Sequence, residues 1–244
     1  MNRRALLRLV GGSALGWGGW SKAARADSHP WSYDTVTGPD LWGDLEARFR
    51  LCRTGQQQSP VNLNHSAKAA GGVLDSGAIA YRPAPLTAAQ DTGLTLQVDL
   101  PVGSQLYLDD EAFTLRQFHF HTPSEHTVAD AAFPMELHLV HQSAAGTIVV
   151  LGVFLVEGQE NPSLASIWTA LASGDRSGEV AIDALLPGDR RTVRYQGSLT
   201  TPPCSEGVRW VLFQTPVEVS RKQLDAFRSR FAPNARPIQR QMSW

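Results

Sequence analysis

The run Gln117-Phe118-His119-Phe120-His121, answered by Glu136-Leu137-His138-Leu139-Val140-His141, constrains this chain more than any other stretch. Five of the seven histidines lie between these two runs' outer ends. Alternation with a period of two is the mark of a strand with one face in a core. Residues two apart share a face, so Gln117, His119 and His121 project together, and Phe118 and Phe120 project to the other side. Glu136 and His138 share a face in the same way. If the two strands pair antiparallel through the 122–133 connection, three imidazoles converge within reach of one zinc ion. They would leave its fourth tetrahedral position open, as catalytic zinc sites do. The competing interpretation is three ordinary buried histidines satisfied by hydrogen bonds. Two such strands in succession, with Gln117 and Glu136 interleaved as acceptors, favour metal.

The surrounding sequence reads as a β domain. From 79 to 108 the chain is punctuated by Pro83, Pro85, Gly93, Pro101 and Gly103, with alternation through Leu94-Thr95-Leu96-Gln97-Val98-Asp99-Leu100. Short strands with regular turns predict an antiparallel sheet rather than βαβ units. The Val-rich run 147–156 reads as a central strand buried on both faces. Asn161 is placed to cap a helix over 161–171 with Pro162 in its first turn, and Ser220 to cap another over 221–227. The aromatic stretch 29–45 reads as an arm with a short helical turn, and 51–61 as a loop. There is no internal repeat and no linker.

Residues 1–26 differ from everything after them. Arg3-Arg4, an apolar Gly-rich run from Ala5 to Trp20, and Ala24-Arg25-Ala26 have the layout of an export signal with a small-x-small cleavage site. The front resembles a twin-arginine signal, with Leu where Phe is favoured. An uncleaved anchor fits less well, because the run is short for a span and carries Arg8. No second segment approaches transmembrane length. The expectation is therefore a periplasmic or secreted domain over 27–244 without stable membrane insertion. Basic and acidic residues number 22 and 23, and no basic stripe is interleaved with aromatics, which excludes nucleic acid as a partner. The two cysteines, Cys52 and Cys204, are too few for a thiolate zinc site. In an oxidising compartment they would form one long-range bridge; the alternative is two unrelated buried thiols.

Taken with Gln58-Ser59-Pro60-Val61, Ser124-Glu125-His126-Thr127, Tyr195-Gln196-Gly197-Ser198-Leu199-Thr200-Thr201-Pro202-Pro203-Cys204 and Asn234-Ala235-Arg236-Pro237, the histidine runs make the chain resemble an exported bacterial α-class carbonic anhydrase. The resemblance runs from Trp31 to about Gln239. It implies a mainly β fold: a single domain with short peripheral helices around a twisted, mostly antiparallel sheet of about ten strands. It also implies Zn2+ held by His119, His121 and His138, with carbon dioxide and bicarbonate as substrates. In the family, hydroxide on the zinc attacks carbon dioxide. Gln117 would support His119, Glu136 would support His138, and a backbone carbonyl near Asn234 would support His121.

Thr200 and Glu125 resemble the family's gatekeeper pair, in which the threonine hydroxyl donates to the buried carboxylate and therefore accepts the proton of the hydroxide. Val140, Val150, Leu199, Thr201 and Trp210 match the substrate pocket, whose apolar wall suits a substrate without a net dipole. One departure stands out. Where fast members of the family carry a proton-shuttling histidine, the matching position is Leu94, which cannot carry a proton. His29, His65, or water ordered by Gln97 and Tyr33 are the substitutes available. Proton transfer should then limit turnover. Two other functions use the same residues, a non-catalytic binding module and a zinc esterase. The first is disfavoured because all three ligands, Glu125 and Thr200 are present.

Overall fold

A computed structural model describes residues 29–63, 70–75 and 77–240. The expected signal over 1–26 and His65 lie outside the described residues. Eight strands make the main path of one sheet: β1 (Ala70–Val73), β2 (Ala89–Asp91), β3 (Leu96–Asp99), β4 (Glu111–His121), β5 (Met135–Ser143), β6 (Ile148–Glu157), β7 (Arg191–Ser198) and β8 (Glu206–Phe213). Their spatial order is β1-β7-β8-β6-β5-β4-β3-β2. With Ile79–Ala80, Gln105–Leu108 and Val217–Val219 the sheet has eleven strands among the described residues, close to the ten expected. Pairing is antiparallel except where β6 meets β8 and Val217–Val219 in parallel.

The sheet's two faces do different things. On one, Phe118 and Phe120 are wholly buried in the main core beside Leu137, Leu139 and Leu151. Burying each such side chain contributes about 1.5–3 kcal/mol. Helices α1 (Pro162–Ser173) and α2 (Arg221–Arg230) cover this face, with Trp168 and Phe227 edge-on to Phe120 at 5.1 and 6.1 Å. Both start as the sequence predicts. The Asn161 side chain accepts from the Ser163 and Leu164 amides, and Ser220 forms a capping box with Gln223. The other face carries a smaller apolar cluster of Val61, Val150, Phe154, Tyr195, Val208, Trp210 and Leu212. Strand β6 is buried from Val149 through Leu155 because it lies between these two layers.

The segment expected as a loop after Arg50 begins with one helical turn, Leu51–Thr54. A single turn carries too few residues to show periodicity; it forms because Cys52 faces inward to Trp42, Phe49 and Cys204. Cys52 and Cys204 are bridged across 152 positions. Among the described residues no helix is long and apolar enough to cross a membrane.

Candidate metal centre

Antiparallel register brings the two histidine strands together. His138 of β5 lies opposite His119 of β4, and Glu136 lies opposite His121. The ring centroids of His119, His121 and His138 are 4.6 to 5.3 Å apart. Their ligand nitrogens all lie within 4.8 Å of one another. Each ring also has one nitrogen committed outward to a group that can only accept. His119 Nδ1 donates to Gln117 Oε1 at 2.8 Å, His121 Nδ1 to the Asn234 carbonyl at 2.7 Å, and His138 Nε2 to Glu136 Oε1 at 2.9 Å. A neutral imidazole that donates from one nitrogen keeps a lone pair on the other. The inward atoms are thus the lone pairs of His119 Nε2, His121 Nε2 and His138 Nδ1.

Burial and neighbouring charge act differently on the three rings. Burial, reinforced by His121 and His138, holds His119 well below the usual imidazole range. Burial also lowers His121. Burial opposes the charged form of His138, but the Glu136 carboxylate outweighs it and raises that ring. Burial alone would raise Glu136; contact with His126 and His138 instead holds its carboxyl well below the usual range.

At this centre two buried atoms, His121 Nε2 and Glu125 Oε2, have no hydrogen-bond partner among the described residues, and they lie 3.5 Å apart. Glu125 Oε2 is also 3.9 Å from His138 Nδ1. Buried acceptors facing one another are costly unless a cation or a donor lies among them. This donor set fits Zn2+, a borderline-soft ion that takes imidazole nitrogens. A second grouping, His126 with Glu136 and His138, is already satisfied by hydrogen bonds among its own members.

The other expected residues have the following surroundings. Glu125 Oε1 accepts from the Arg236 backbone amide at 2.9 Å. No hydrogen bond joins the Thr200 hydroxyl to Glu125 among the described residues; Oε2, the free oxygen, faces the histidines instead. Thr200 is buried and Thr201 half-buried in the β7–β8 loop, which Cys204 closes by donating its amide to the Thr201 carbonyl. Val140, Val150, Leu199 and Trp210 belong to one apolar cluster, and the Trp210 ring is 4.9 Å from that of His138. Leu94 is half-buried in the turn before β3. Its carbonyl accepts from Asn234 Nδ2, while Asn234 Oδ1 accepts from the Thr122 amide. Gln97 lies opposite His119, but its amide is bound to Asp99. His29 sits against Trp31, and Tyr33 packs against Trp31 and Trp42.

Several contributors carried no assigned role in the sequence reading. The Arg236 guanidinium, brought down to about 10 by burial, donates to Gln58 Oε1 and to the Ser59 and Cys52 carbonyls. It joins the C-terminal segment to the disulfide region. His126, Ser59 and Tyr195 form a buried polar chain next to Glu136. Such residues lie in connections or far apart in sequence, where periodicity gives no signal.

Residues 37–243 match the family described as eukaryotic-type carbonic anhydrase. A carbonic anhydrase from Nostoc sp. is 41% identical, over 97% of this chain and 94% of its own length. One from Pectobacterium carotovorum is 40% identical, over 89% and 90% respectively. Among solved structures, the α-carbonic anhydrase of Thermovibrio ammonificans in complex with the inhibitor sulfanilamide is 39% identical, with a TM-score of 0.77. That match spans 86% of this chain and 95% of the other.

Proposed function

The chain belongs to the eukaryotic-type, or α-class, carbonic anhydrase family, and we propose that it carries out the reversible hydration of carbon dioxide to bicarbonate and a proton at a zinc centre held by His119, His121 and His138. The observation that carries this proposal is the set of three inward lone pairs, each fixed by an outward hydrogen bond. When bound, zinc supplies a Lewis acid that lowers the pKa of a coordinated water to about 7, so that hydroxide can add to carbon dioxide.

The chain's own residues do the rest. Gln117, the Asn234 carbonyl and Glu136 lock the tautomers and orientations of the ligands. Glu125 Oε2 is an unpartnered buried acceptor, the group to which the Thr200 hydroxyl is assigned to donate. A hydroxyl that donates there has only lone pairs to offer the attacking oxygen, so it orients that oxygen by accepting its proton. Val140, Val150, Leu199 and Trp210 supply an apolar wall for carbon dioxide, with Thr201 at its loop edge. Leu94 offers no proton acceptor, so the proton leaves through water and external buffer. We further assign residues 1–26 to an export signal and 27–244 to the catalytic domain, periplasmic or secreted. The Cys52–Cys204 bridge supports an oxidising destination.

Stopped-flow measurement of carbon dioxide hydration by zinc-loaded protein, with and without a sulfonamide, tests the proposal. The expected result is hydration that the sulfonamide abolishes. Zinc-loaded protein without hydration would overturn it, and ester hydrolysis without carbon dioxide hydration would replace it with a zinc esterase.

A further inference from the structure

Glu136 is wholly buried and saturated. Its Oε2 accepts from the backbone amides of Glu125 and His126, each at 2.9 Å. Its Oε1 accepts from His126 Nδ1 at 2.7 Å and from His138 Nε2 at 2.9 Å. A carboxylate has about four acceptor sites, and all four are used.

The saturation fixes the direction of a longer chain. Because Oε1 only accepts, His126 donates to it from Nδ1; with Nε2 as that ring's acceptor, the Tyr195 hydroxyl donates to it at 2.6 Å. The Tyr195 oxygen then accepts from Ser59 Oγ at 2.8 Å, and Ser59 Oγ accepts from the Ser198 amide at 3.1 Å. Every proton points toward Glu136, so each bond polarises the next. The chain begins beside Leu199 and ends on the carboxylate that orients His138.

The opposite side of Oε1 is shaped by what is missing. From Val149 to Val156 strand β6 is built of Val, Leu and Phe except at Gly152, which lies directly across from His138. A Cβ at Gly152 would stand 3.2 Å from Glu136 Oε1 and 3.2 Å from Leu212 Cδ2. Glycine inside a strand marks a place where another group approaches the backbone closely. Here that group is the oxygen with two histidine donors, which cannot move by a few tenths of an ångström without disturbing both.

We propose that His126 and Gly152 are positioning residues for His138, acting through Glu136: His126 pins Oε1 from one side, and Gly152 leaves the space it occupies. His138 must then donate through Nε2 and present Nδ1 to the metal. The proposal rests on the assignment of His119, His121 and His138 as zinc ligands.

The test is zinc affinity, by competition with a chelator, together with the visible spectrum of the cobalt(II)-substituted protein. Gly152→Ala and His126→Leu are each expected to weaken zinc binding about 10- to 100-fold and to shift the cobalt bands. His126→Asn, which keeps an N–H near the Nδ1 position, should retain most of the affinity. Thermal unfolding of the zinc-free variants checks that they fold, and the mild Gly152→Ala change carries the test if His126→Leu does not. Wild-type affinity and spectrum in folded Gly152→Ala would overturn the proposal. So would full recovery of affinity in the Gly152→Ala/Leu212→Ala double variant, which would reduce the glycine's role to making room for Leu212. If wild type binds zinc and His138→Ala does not, while both positioning variants bind normally, this proposal alone fails. Wild type that binds no zinc would remove the ligand assignment itself.

Discussion

At the scale of single residues, the metal centre depends on what each histidine does with its outward nitrogen. Glu136→Gln puts an amide where a saturated carboxylate accepts four hydrogen bonds, so one amide N–H must face a donor. Zinc affinity measured by chelator competition should fall about 10- to 100-fold; unchanged affinity would contradict the account. His141 supplies a test independent of the metal. It is buried in the main core side of β5, bonded through Nε2 to the Tyr81 hydroxyl, and burial lowers it to about 3. Its ordinary value is about 6.5, so below that pH the unfolded chain binds a proton that the folded chain refuses. Its contribution to stability is complete above pH 6.5 and is lost as pH falls toward 3, by about 1.4 kcal/mol per unit. Denaturant unfolding should show the advantage of wild type over His141→Gln shrinking by about 2 kcal/mol between pH 6.5 and 5; a constant difference would refute it. Strand alternation makes the shared face of His119, His121, Gln117 and of Glu136, His138 readable in the sequence alone. The Asn234 carbonyl that holds His121 was readable only through the family resemblance, because backbone partners 113 positions apart leave no local pattern.

At the scale of elements, the proposed route of the proton turns on β3 and the turn before it. Residues 92–95 form a tight turn in which the Thr92 hydroxyl accepts from the Thr95 amide, and Asn234 ties Leu94 to the end of β4. Leu94 therefore sits on a braced turn tied to the residue whose carbonyl holds His121, and it lacks a titratable group. Leu94→His should raise turnover several-fold in dilute buffer and little in concentrated buffer. No gain, together with wild-type rates that ignore buffer concentration, would sink the idea that proton transfer is limiting. The elements themselves followed local chemistry closely: the Asn161 and Ser220 caps, the Val-rich β6 and the paired histidine strands all formed as their residues predict. The Leu51–Thr54 turn did not announce itself, because a distant cysteine holds it rather than its own pattern. Thr200 and Glu125 likewise share no element, so their proposed pairing leaves no local pattern in the sequence.

At the scale of the whole molecule, one long-range tie joins the site loop to the N-terminal segment and a second joins that segment to the C-terminal one. One is the Cys52–Cys204 bridge; the other is the Arg236 guanidinium on the Cys52, Gln58 and Ser59 groups. Closing so long a loop restricts the unfolded chain by about 5 kcal/mol in the chain-entropy description, an upper figure. Reductant should therefore lower the melting temperature and speed amide exchange in the Thr200 loop; identical melting with and without reductant would contradict this. On the proposed function, three tautomer-locked histidines hold the zinc that makes this fold a carbon dioxide hydratase. Titrating zinc into metal-free protein while following carbon dioxide hydration tests it most directly. The account predicts activity that rises in proportion to added metal, ends at one zinc per chain, and is lost in His138→Ala. Hydration by the metal-free protein, or by His138→Ala at the wild-type rate, would contradict it.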